Sequence, residues 1–234
     1  MFRKTQRYYD AVYAWKDYRS EVDRLDRIIR ERHSSARTLL DVACGTGKHL
    51  ELLRHRYRVE GLDLDPEMLA IGRQRLGPDV PLHEGDMVGF DLGRQFDVVT
   101  CLFSSIAYAR TADRLGAAIG SMARHVAPDG LLIVEPFFSP DQWEPGHLDS
   151  TVVDEPDLKV VRMVLSGPAE SPMTMSFHYL VGTPEGIDHF TEEHEVGLFT
   201  DQEYRDAFRA AGLEAEHDAE GLMGRGLYIG VRRS

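Results

Sequence analysis

An alternation between short apolar runs and longer amphipathic segments constrains the fold of this sequence most. The apolar runs lie at residues 38–42, 59–64, 98–102 and 131–135. Each run has the length of one buried strand, and the segments between them leave room for helices. Strands that alternate with helices are typical of parallel sheets, because each crossover between parallel neighbours passes through a helix. We therefore predict an α/β protein with a mostly parallel sheet.

Capping residues mark two of the predicted helices. Asp65 precedes a proline, which is typical of a helix start, and Gly77 is typical of the end of the same helix. Thr200 and Glu203 have the spacing of a capping box and predict the start of a helix near the end of the chain.

The pattern changes between residues 137 and 199, where apolar residues recur at every second position. The clearest example is the series Met173, Met175, Phe177, Tyr179 and Val181. This period is typical of a half-exposed antiparallel strand, and the segments 160–165 and 187–196 are its predicted neighbours. We predict a small antiparallel sheet inserted into the α/β domain. Residues 213–217 and 227–231 predict a closing antiparallel pair.

Composition limits the partners that the protein can have. The net charge of −12 and the pI near 5.3 argue against nucleic acid, since phosphate binding needs a basic surface. Cys44 and Cys101 form no metal-binding motif, and their small number fits a reducing compartment. No charged-then-apolar leader opens the sequence MFRKTQRYYD, and no apolar run is long enough to span a membrane. We expect a cytoplasmic protein with a small-molecule substrate, without metal.

Small residues crowd the turn in DVACGTGKHL, directly after the first predicted strand. Ala43, Gly45 and Gly47 let a ligand approach the backbone at the start of a helix. For this turn alone, tight packing without a ligand is an equally good interpretation. Asp63 ends the second run, where a carboxylate can accept from both ribose hydroxyls, and Asp86 follows the third strand. Because these positions meet at one edge of a parallel sheet, together they favour a ligand site.

In their order, these segments resemble the motifs of the class I S-adenosylmethionine-dependent methyltransferases. DVACGTG is similar to the first motif, GLDLDPEML to the second, GD to the third and FDVVTCLFSSI to the fourth. The resemblance covers about residues 38–136, and it implies a Rossmann-like sheet with an antiparallel last strand. S-adenosylmethionine is the cofactor that it implies. A nicotinamide-binding Rossmann domain is the alternative, but its G-x-G-x-x-G fingerprint is absent from this sequence.

The resemblance also implies roles for individual residues. The small-residue turn lies against the methionine part of the cofactor, Asp63 binds its ribose, and Asp86 with Met87 holds its adenine. The complete set of implied cofactor-binding residues is Tyr18, Asp41, Ala43, Gly45, Gly47, Asp63, Leu64, Asp86, Met87 and Phe103.

The same resemblance gives the expected organisation, a single methyltransferase domain of residues 1–234. Its expected parts are an N-terminal helical lid (1–35), the cofactor-binding core (36–136), the inserted sheet over the active site (137–199) and the last helix and strands (200–234).

A narrower resemblance extends over most of the chain. HEGDM, PDGLLIVEP, LFTDQEY, AFRAAGL and GRGLY are similar to segments of the N,N-dimethyltransferases that act on nucleotide-linked 3-amino deoxysugars in macrolide biosynthesis. In this group Arg225, held between two glycines, would offer a bidentate fork to a phosphate of the substrate. Taken alone, a solvated arginine in a surface turn is the simpler interpretation. The substrate implied by the resemblance is a nucleotide-linked amino deoxysugar.

A neutral amine needs little more than alignment and the loss of a proton to accept a methyl group. The sequence shows no obvious catalytic His/Asp pair, and this favours nitrogen over oxygen as the acceptor. Tyr13, Tyr108 and Glu135 are the candidate catalytic residues, although packing is the simpler interpretation of each tyrosine. Alternative functions are methylation of another small amine or hydroxyl compound, and a cofactor-binding protein that senses or scaffolds without catalysis.

Three histidines fall on the inserted sheet. We expect His178, His189 and His194 on a solvated or interfacial face, because their spacing suits no metal. The exposed side of this sheet is also a candidate homodimer interface.

Overall fold

The structure, a computed structural model, describes residues 5–170 and 172–233. Its helices are α1 (Gln6–Val12), α2 (Tyr18–Arg32), α3 (Lys48–Leu53), α4 (Pro66–Leu76), α5 (Ala112–Arg124) and α6 (Asp201–Ala210). Its strands are β1 (Thr38–Val42), β2 (Arg58–Asp63), β3 (Leu82–Glu84), β4 (Phe96–Cys101), β5 (Val126–Val134), β6 (Leu148–Glu155), β7 (Leu158–Ser166), β8 (Met173–Thr183), β9 (Gly186–Val196), β10 (Glu214–Asp218) and β11 (Leu227–Val231). Residues 1–4 of the expected lid lie outside the described residues.

A seven-stranded sheet with the order β10-β11-β5-β4-β1-β2-β3 forms the centre of the molecule. β1 to β5 run parallel to one another, and β11 runs antiparallel to both of its neighbours, β5 and β10. The expected Rossmann-like fold class with an antiparallel last strand is confirmed.

Helices cover both faces of this sheet, as its apolar strands require. Leu40 and Val99 belong to the buried cluster formed with α5 and α6, whereas their neighbours Leu39 and Val98 belong to the cluster formed with α2, α3 and α4. Successive residues of a strand point to opposite faces, so a continuous apolar run packs against both helical layers. The parallel strands therefore all end at one shared edge, where the connecting loops meet.

The predicted capping interactions are present. The Asp65 carboxylate accepts hydrogen bonds from the backbone amides of Glu67 and Met68, at 2.9 and 3.3 Å, and α4 begins at the next residue, Pro66. Thr200 and Glu203 form a reciprocal capping box at the start of α6. These local signals fix where two helices begin, independently of their tertiary packing.

The inserted sheet has four antiparallel strands in the order β6-β7-β8-β9. The alternation predicted β7, β8 and β9, but it missed β6, whose sequence LDSTVVDE is too polar to show a period. The inner face of the sheet packs on α1, where Tyr8 and Val12 join Phe177 and Tyr179 in one buried cluster. The inner face of this sheet therefore faces the edge of the central sheet where the loops after the parallel strands lie.

One expectation for this sheet is wrong. His178 and His189 are exposed as expected, but His194 is completely buried on the inner face. On β9 the even-numbered residues from Phe190 to Val196 point inward, while on β8 the odd-numbered residues do so. His194 therefore lies on the same face as Phe190. His189 is an odd number of positions away from His194 on the same strand, so the two side chains point to opposite faces.

Candidate active site

A cavity of about 1140 Å³ lies between the loop edge of the central sheet and the inner face of the inserted sheet. Loops after β1 to β4 form one wall, and residues of β7 and β8 form the opposite wall. This volume exceeds the range of roughly 300–1,000 Å³ that is usual for one small ligand. The cavity therefore has room for a cofactor together with a second molecule.

The turn after β1 forms the floor of the cavity and is fixed to the end of β2. The backbone amide of Gly45 donates to Oδ2 of Asp63 at 2.7 Å, and the amide of Asp65 donates to Oδ1 at 2.9 Å. Ala43 and Gly45 both have positive φ angles, 59° and 55°. Burial raises the pKa of Asp63, although the two amide hydrogen bonds oppose this. Each carboxylate oxygen keeps capacity for another donor, and Asp63 lines the cavity.

The two glycines of the turn differ in what surrounds them. A Cβ atom at Gly45 would meet no protein atom within 4 Å, because Gly45 borders the open cavity. A Cβ atom at Gly47 would lie 2.8 Å from Cδ1 of Leu76, so this glycine allows the start of α3 to pack closely on α4. Gly45 thus leaves open the space that a ligand against this turn would fill, and Gly47 lies outside the cavity lining.

Asp41 also lies outside the cavity lining, at the end of β1. Its Oδ1 accepts a hydrogen bond of 2.7 Å from the hydroxyl of Thr100, and the residue is 2 % exposed. Burial raises the pKa of Asp41 to about 6. Its role in cofactor binding stays a prediction.

The loop after β3 brings Asp86 and Met87 to one end of the cavity. Oδ1 of Asp86 accepts from the amide of Val88 at 3.0 Å, and Arg114 lies 3.3 Å from Oδ2. Leu64 lines the same part of the cavity and is 45 % exposed. An apolar surface beside a partly solvated carboxylate suits a flat ring with an exocyclic amino group.

Tyr18 stands behind this cavity wall instead of lining it. Its ring lies against His49, with 4.9 Å between ring centroids, and beneath the ammonium group of Lys16. Glu21 pairs with both Lys16 and His49, and all three side chains are buried. Lys16 Nζ also lies 4.5 Å from the ring centroid of Phe103, a cavity-lining residue. Tyr18 therefore belongs to a charged cluster that supports the floor.

Tyr13 and Tyr108 line the cavity on the side of the inserted sheet. The hydroxyl of Tyr13 accepts from Nη1 of Arg162 at 2.9 Å, and its ring edge packs on Phe103 with 5.1 Å between centroids. The hydroxyl of Tyr108 lies 2.6 Å from Nδ1 of His194. Both predicted tyrosines therefore have defined polar partners on the inserted sheet.

Glu135 is fully buried and does not line the cavity. Its Oε2 accepts from the backbone amide of Phe103 at 2.6 Å, and its Oε1 has no hydrogen-bond partner among the described residues. Phe103 and Ser104 have positive φ angles of 53° and 59°, so this bond stabilises a strained loop. Burial raises the pKa of Glu135. In this geometry the Glu135 carboxylate holds the backbone of Phe103 in place from behind the cavity wall.

Arg225 projects into the cavity from the turn before β11. Its Nη1 donates to the hydroxyl of Ser104 at 3.1 Å, and its guanidinium lies 5.2 Å from the ring centroid of Phe138. Gly226 has a φ of 85°, and a Cβ atom there would lie 2.5 Å from the ring of His217, so the turn requires glycine. Within residues 5–170 and 172–233, no carboxylate pairs with Arg225.

Several residues that line the cavity were not predicted from the sequence. Tyr9 and Trp15 come from the N-terminal segment, and Arg162 comes from β7. Arg162 is 5 % exposed, and its Nη2 donates to Thr151 at 2.8 Å. The alternation in LKVVRMVLS could have found it, because an arginine there occupies an inward position among valines.

No group of His, Cys, Asp and Glu side chains in the described part of the chain could hold a metal ion. None of its helices combines the length and the hydropathy that crossing a bilayer requires.

Comparison with known proteins identifies the class. A family model for the methyltransferase domain matches residues 39–130, the segment that contains β1 to β4 and the turn under the cavity. Together with the strand order, and with two dTDP-amino sugar N,N-dimethyltransferases that are 43% and 41% identical over 95% of this chain, this match shows that the protein is a class I S-adenosylmethionine-dependent methyltransferase. S-adenosylmethionine is its cofactor.

Relatives that match nearly the whole chain identify the family. The dTDP-3-amino-3,6-dideoxy-alpha-D-glucopyranose N,N-dimethyltransferase of Streptomyces fradiae is 43% identical, over 95% of this chain and 89% of the relative. The crystal structure of Streptomyces venezuelae DesVI matches with a TM-score of 0.92 and 40% identity, over 99% of both chains. SAM-bound CalS10, an amino pentose methyltransferase from Micromonospora echinaspora involved in calicheamicin biosynthesis, matches with a TM-score of 0.86 and 38% identity, over 99% of this chain and 98% of that one. The chain belongs to the family of the Streptomyces fradiae amino sugar N,N-dimethyltransferase.

The raised pKa of Asp41 predicts how stability depends on pH. The folded state holds the Asp41 proton more tightly than the unfolded chain, so its contribution to stability is present below about pH 4 and is lost as the pH rises through about 6. Asp41→Asn removes the buried charge. We expect it to stabilise the protein at pH 8 by up to about 3 kcal/mol, since the pKa shift of roughly two units corresponds to about 1.4 kcal/mol per unit. Urea unfolding at pH 8 and pH 4 measures this.

Asp97→Asn is the matched control. Burial acts to raise the pKa of Asp97, but hydrogen bonds from Arg37 and Thr38 outweigh it and lower this pKa. The same substitution should therefore destabilise at pH 8. If both variants change stability in the same direction, burial of Asp41 does not control its ionisation.

Proposed function

We propose that this protein N-methylates an amino deoxysugar that is carried on a nucleotide, in the biosynthesis of an antibiotic or related metabolite. Two relatives support this, because the Streptomyces fradiae protein is by name an N,N-dimethyltransferase of a dTDP-linked amino sugar and CalS10 is by name an amino pentose methyltransferase. The size of the cavity also supports it, since the cofactor and a nucleotide-linked sugar would have to lie side by side.

The guanidinium of Arg225, which donates to the Ser104 hydroxyl but forms no salt bridge with a described carboxylate, is the observation that carries the proposal. The chain has a net charge of −12, yet this cation faces the cavity without a carboxylate partner among the described residues. A cation that faces a cavity without a salt-bridge partner is suited to an anionic ligand. A phosphate accepts two parallel hydrogen bonds from a guanidinium, so a nucleotide-linked substrate fits this position.

We assign the remaining cavity residues to the cofactor. Asp63 would accept both ribose hydroxyls, because its two oxygens are already oriented by the amides of Gly45 and Asp65. Asp86 and Met87 would hold the adenine. Asp63 lies against the turn that contains Gly45, so the methionine part of the cofactor would lie over this turn.

The chain contributes binding and orientation to the reaction. S-adenosylmethionine, when bound, supplies an electrophilic methyl group on a positively charged sulfur. Tyr13, which packs on Phe103, and Tyr108 both line the cavity and would hold an amine by hydrogen bonds, so that its lone pair points at that methyl group. Proximity and orientation of this kind supply a large part of the rate of a displacement reaction. An oxygen acceptor would need a base to take its proton during the attack.

Paired substrates test the proposal. Purified protein should methylate a dTDP-linked amino deoxysugar and leave its hydroxyl analogue, which carries oxygen in place of the amine, unchanged. Mass spectrometry of both products measures this. Methylation of the hydroxyl compound alone would assign the enzyme to O-methylation, and methyl transfer to neither, with the cofactor bound, would favour a binding protein.

Asp63→Ala should weaken cofactor binding by about 2 kcal/mol or more, since charge-assisted hydrogen bonds are lost. Isothermal titration with S-adenosylhomocysteine measures the affinity. Asp91→Ala is a suitable control, because Asp91 is an exposed loop carboxylate outside the cavity lining. Unchanged affinity in Asp63→Ala would contradict the ribose assignment.

Arg225→Ala should raise the KM for the sugar nucleotide at least tenfold and change kcat much less, because the phosphate contact is equally present in the ground state and the transition state. Arg225→Lys should recover part of the affinity, since lysine keeps the charge but not the fork. A fall in kcat at constant KM would contradict a phosphate role.

We also propose that a second copy of the chain covers the outer face of the inserted sheet. The exposed apolar side chains of this face are Leu148, Val152, Val161, Met163, Leu165, Leu180 and Ile187. They lie on the side opposite the cavity, because the strand register places their neighbours Val160, Arg162 and Val164 on the inner face. Exposed apolar patches of this kind mark protein contacts, and a two-fold axis pairs one patch with itself.

Light scattering after size exclusion should therefore give the mass of a dimer. Val161→Glu and Leu180→Glu, which oppose each other on neighbouring strands, should shift it to the mass of 26.5 kDa. A monomeric wild type at micromolar concentration would contradict the proposal.

A further inference from the structure

A buried chain of three polar side chains connects the cavity to the interior of the inserted sheet. The hydroxyl of Tyr108 lies 2.6 Å from Nδ1 of His194, and Nε2 of His194 lies 3.5 Å from Oε2 of Glu192. His194 is 0 % and Glu192 is 5 % exposed, whereas Tyr108 lines the cavity. The Tyr108 hydroxyl is therefore the member of this hydrogen-bonded series that faces the cavity.

The strand register keeps His194 in this place. Met175 stands opposite His194, and Phe177 stands opposite Glu192, on the inner face of the sheet. The imidazole also packs on the ring of Phe177, with 4.6 Å between centroids. A side chain that is packed on this side and hydrogen-bonded at both nitrogens has little freedom to turn.

The proton positions follow from the partners. Burial lowers the pKa of His194, so the ring is neutral at pH 7 and has one donor nitrogen and one acceptor nitrogen. A carboxylate only accepts, so the proton of the ring is on Nε2, next to Glu192. Nδ1 is then an acceptor, and the hydroxyl of Tyr108 must donate its hydrogen to it. The positive charge of Arg162 also favours the neutral ring.

We infer that His194 and Glu192 are positioning residues that fix the direction of the Tyr108 hydroxyl, so that the phenol presents only acceptor lone pairs to the amine of the substrate. This inference rests on the proposed function. A phenol that points its hydrogen into the cavity would donate to the lone pair of the amine and block the attacking electrons. A phenol that accepts takes an N–H hydrogen bond instead, and it leaves the lone pair free for the methyl group.

Kinetics with four variants test this role. His194→Leu removes the acceptor for Tyr108 and should lower kcat about tenfold, which corresponds to about 1.4 kcal/mol, the order of one hydrogen bond. His194→Met, another buried apolar replacement, should do the same if the leucine variant does not fold. His194→Asn places an amide oxygen near the position of Nδ1 and should retain most of kcat. His189→Asn, on the exposed side of the same strand, should equal the wild type.

The Tyr108→Phe background separates this role from a merely structural one. If His194 acts through the phenol, His194→Leu should cause no further loss of kcat once Tyr108 is phenylalanine. An equal loss of kcat in both backgrounds, or full activity of His194→Leu, would overturn the inference. Thermal unfolding and cofactor titration of each variant serve as controls for the fold.

The tautomer can be measured without any substrate. Nitrogen-15 NMR of the full chain with labelled histidine should show His194 with its proton on Nε2, and the His194→Asn spectrum identifies the resonance. A proton on Nδ1 would overturn the inference even if the enzyme is active. If the proton is on Nε2 but no amino sugar is methylated, the proposed substrate is wrong, whereas the inferred direction of the Tyr108 hydrogen bond still stands.

Discussion

The hydrogen bonds between the Asp63 carboxylate and the amides of Gly45 and Asp65 fix the geometry on which the rest of the site depends. They join the loop after β1 to the loop after β2, and they hold a turn with positive φ angles that would otherwise be free to relax. A carboxylate at the shared edge of a parallel sheet is thus both a part of the fold and a surface of the cavity. The burial that raises its pKa is the same burial that makes its remaining hydrogen bonds strong.

The sequence predicted those features that depend on local chemistry. The period of apolar residues gave the central sheet, and the capping patterns at Asp65 and Thr200 gave the starts of two helices, because such signals operate within a few residues. The turn at Gly45 could be recognised because close approach of a ligand to the backbone leaves few choices of residue. β6 could not be predicted, since its exposed strand is held by pairing with β7 and not by an apolar pattern of its own.

Roles that depend on tertiary contacts could not be derived from the sequence. Glu135 follows an apolar strand, as an active-site acid would, but its carboxylate turns to the amide of Phe103 and supports the loop from behind. Arg162 and His194 look like ordinary strand residues, and their importance appears only when the inserted sheet places its inner face over the cavity. For the two strand residues, the role depends on which face of the sheet the side chain occupies. Neighbouring residues of a strand point to opposite faces, so a shift of one position would move the side chain away from the cavity.

The inserted sheet encloses the cavity and also contributes charged side chains to it. The floor of the cavity is acidic, with Asp63 lining it and Asp41 and Glu135 buried behind it, whereas the cations Arg162 and Arg225 lie on its other sides. Under the proposed function, a positively charged donor would be attracted to Asp63 and a negatively charged acceptor to the arginines. The remaining demand on the protein would be the direction of a few hydrogen bonds at the reacting nitrogen, which a rigid sheet supplies better than a mobile loop.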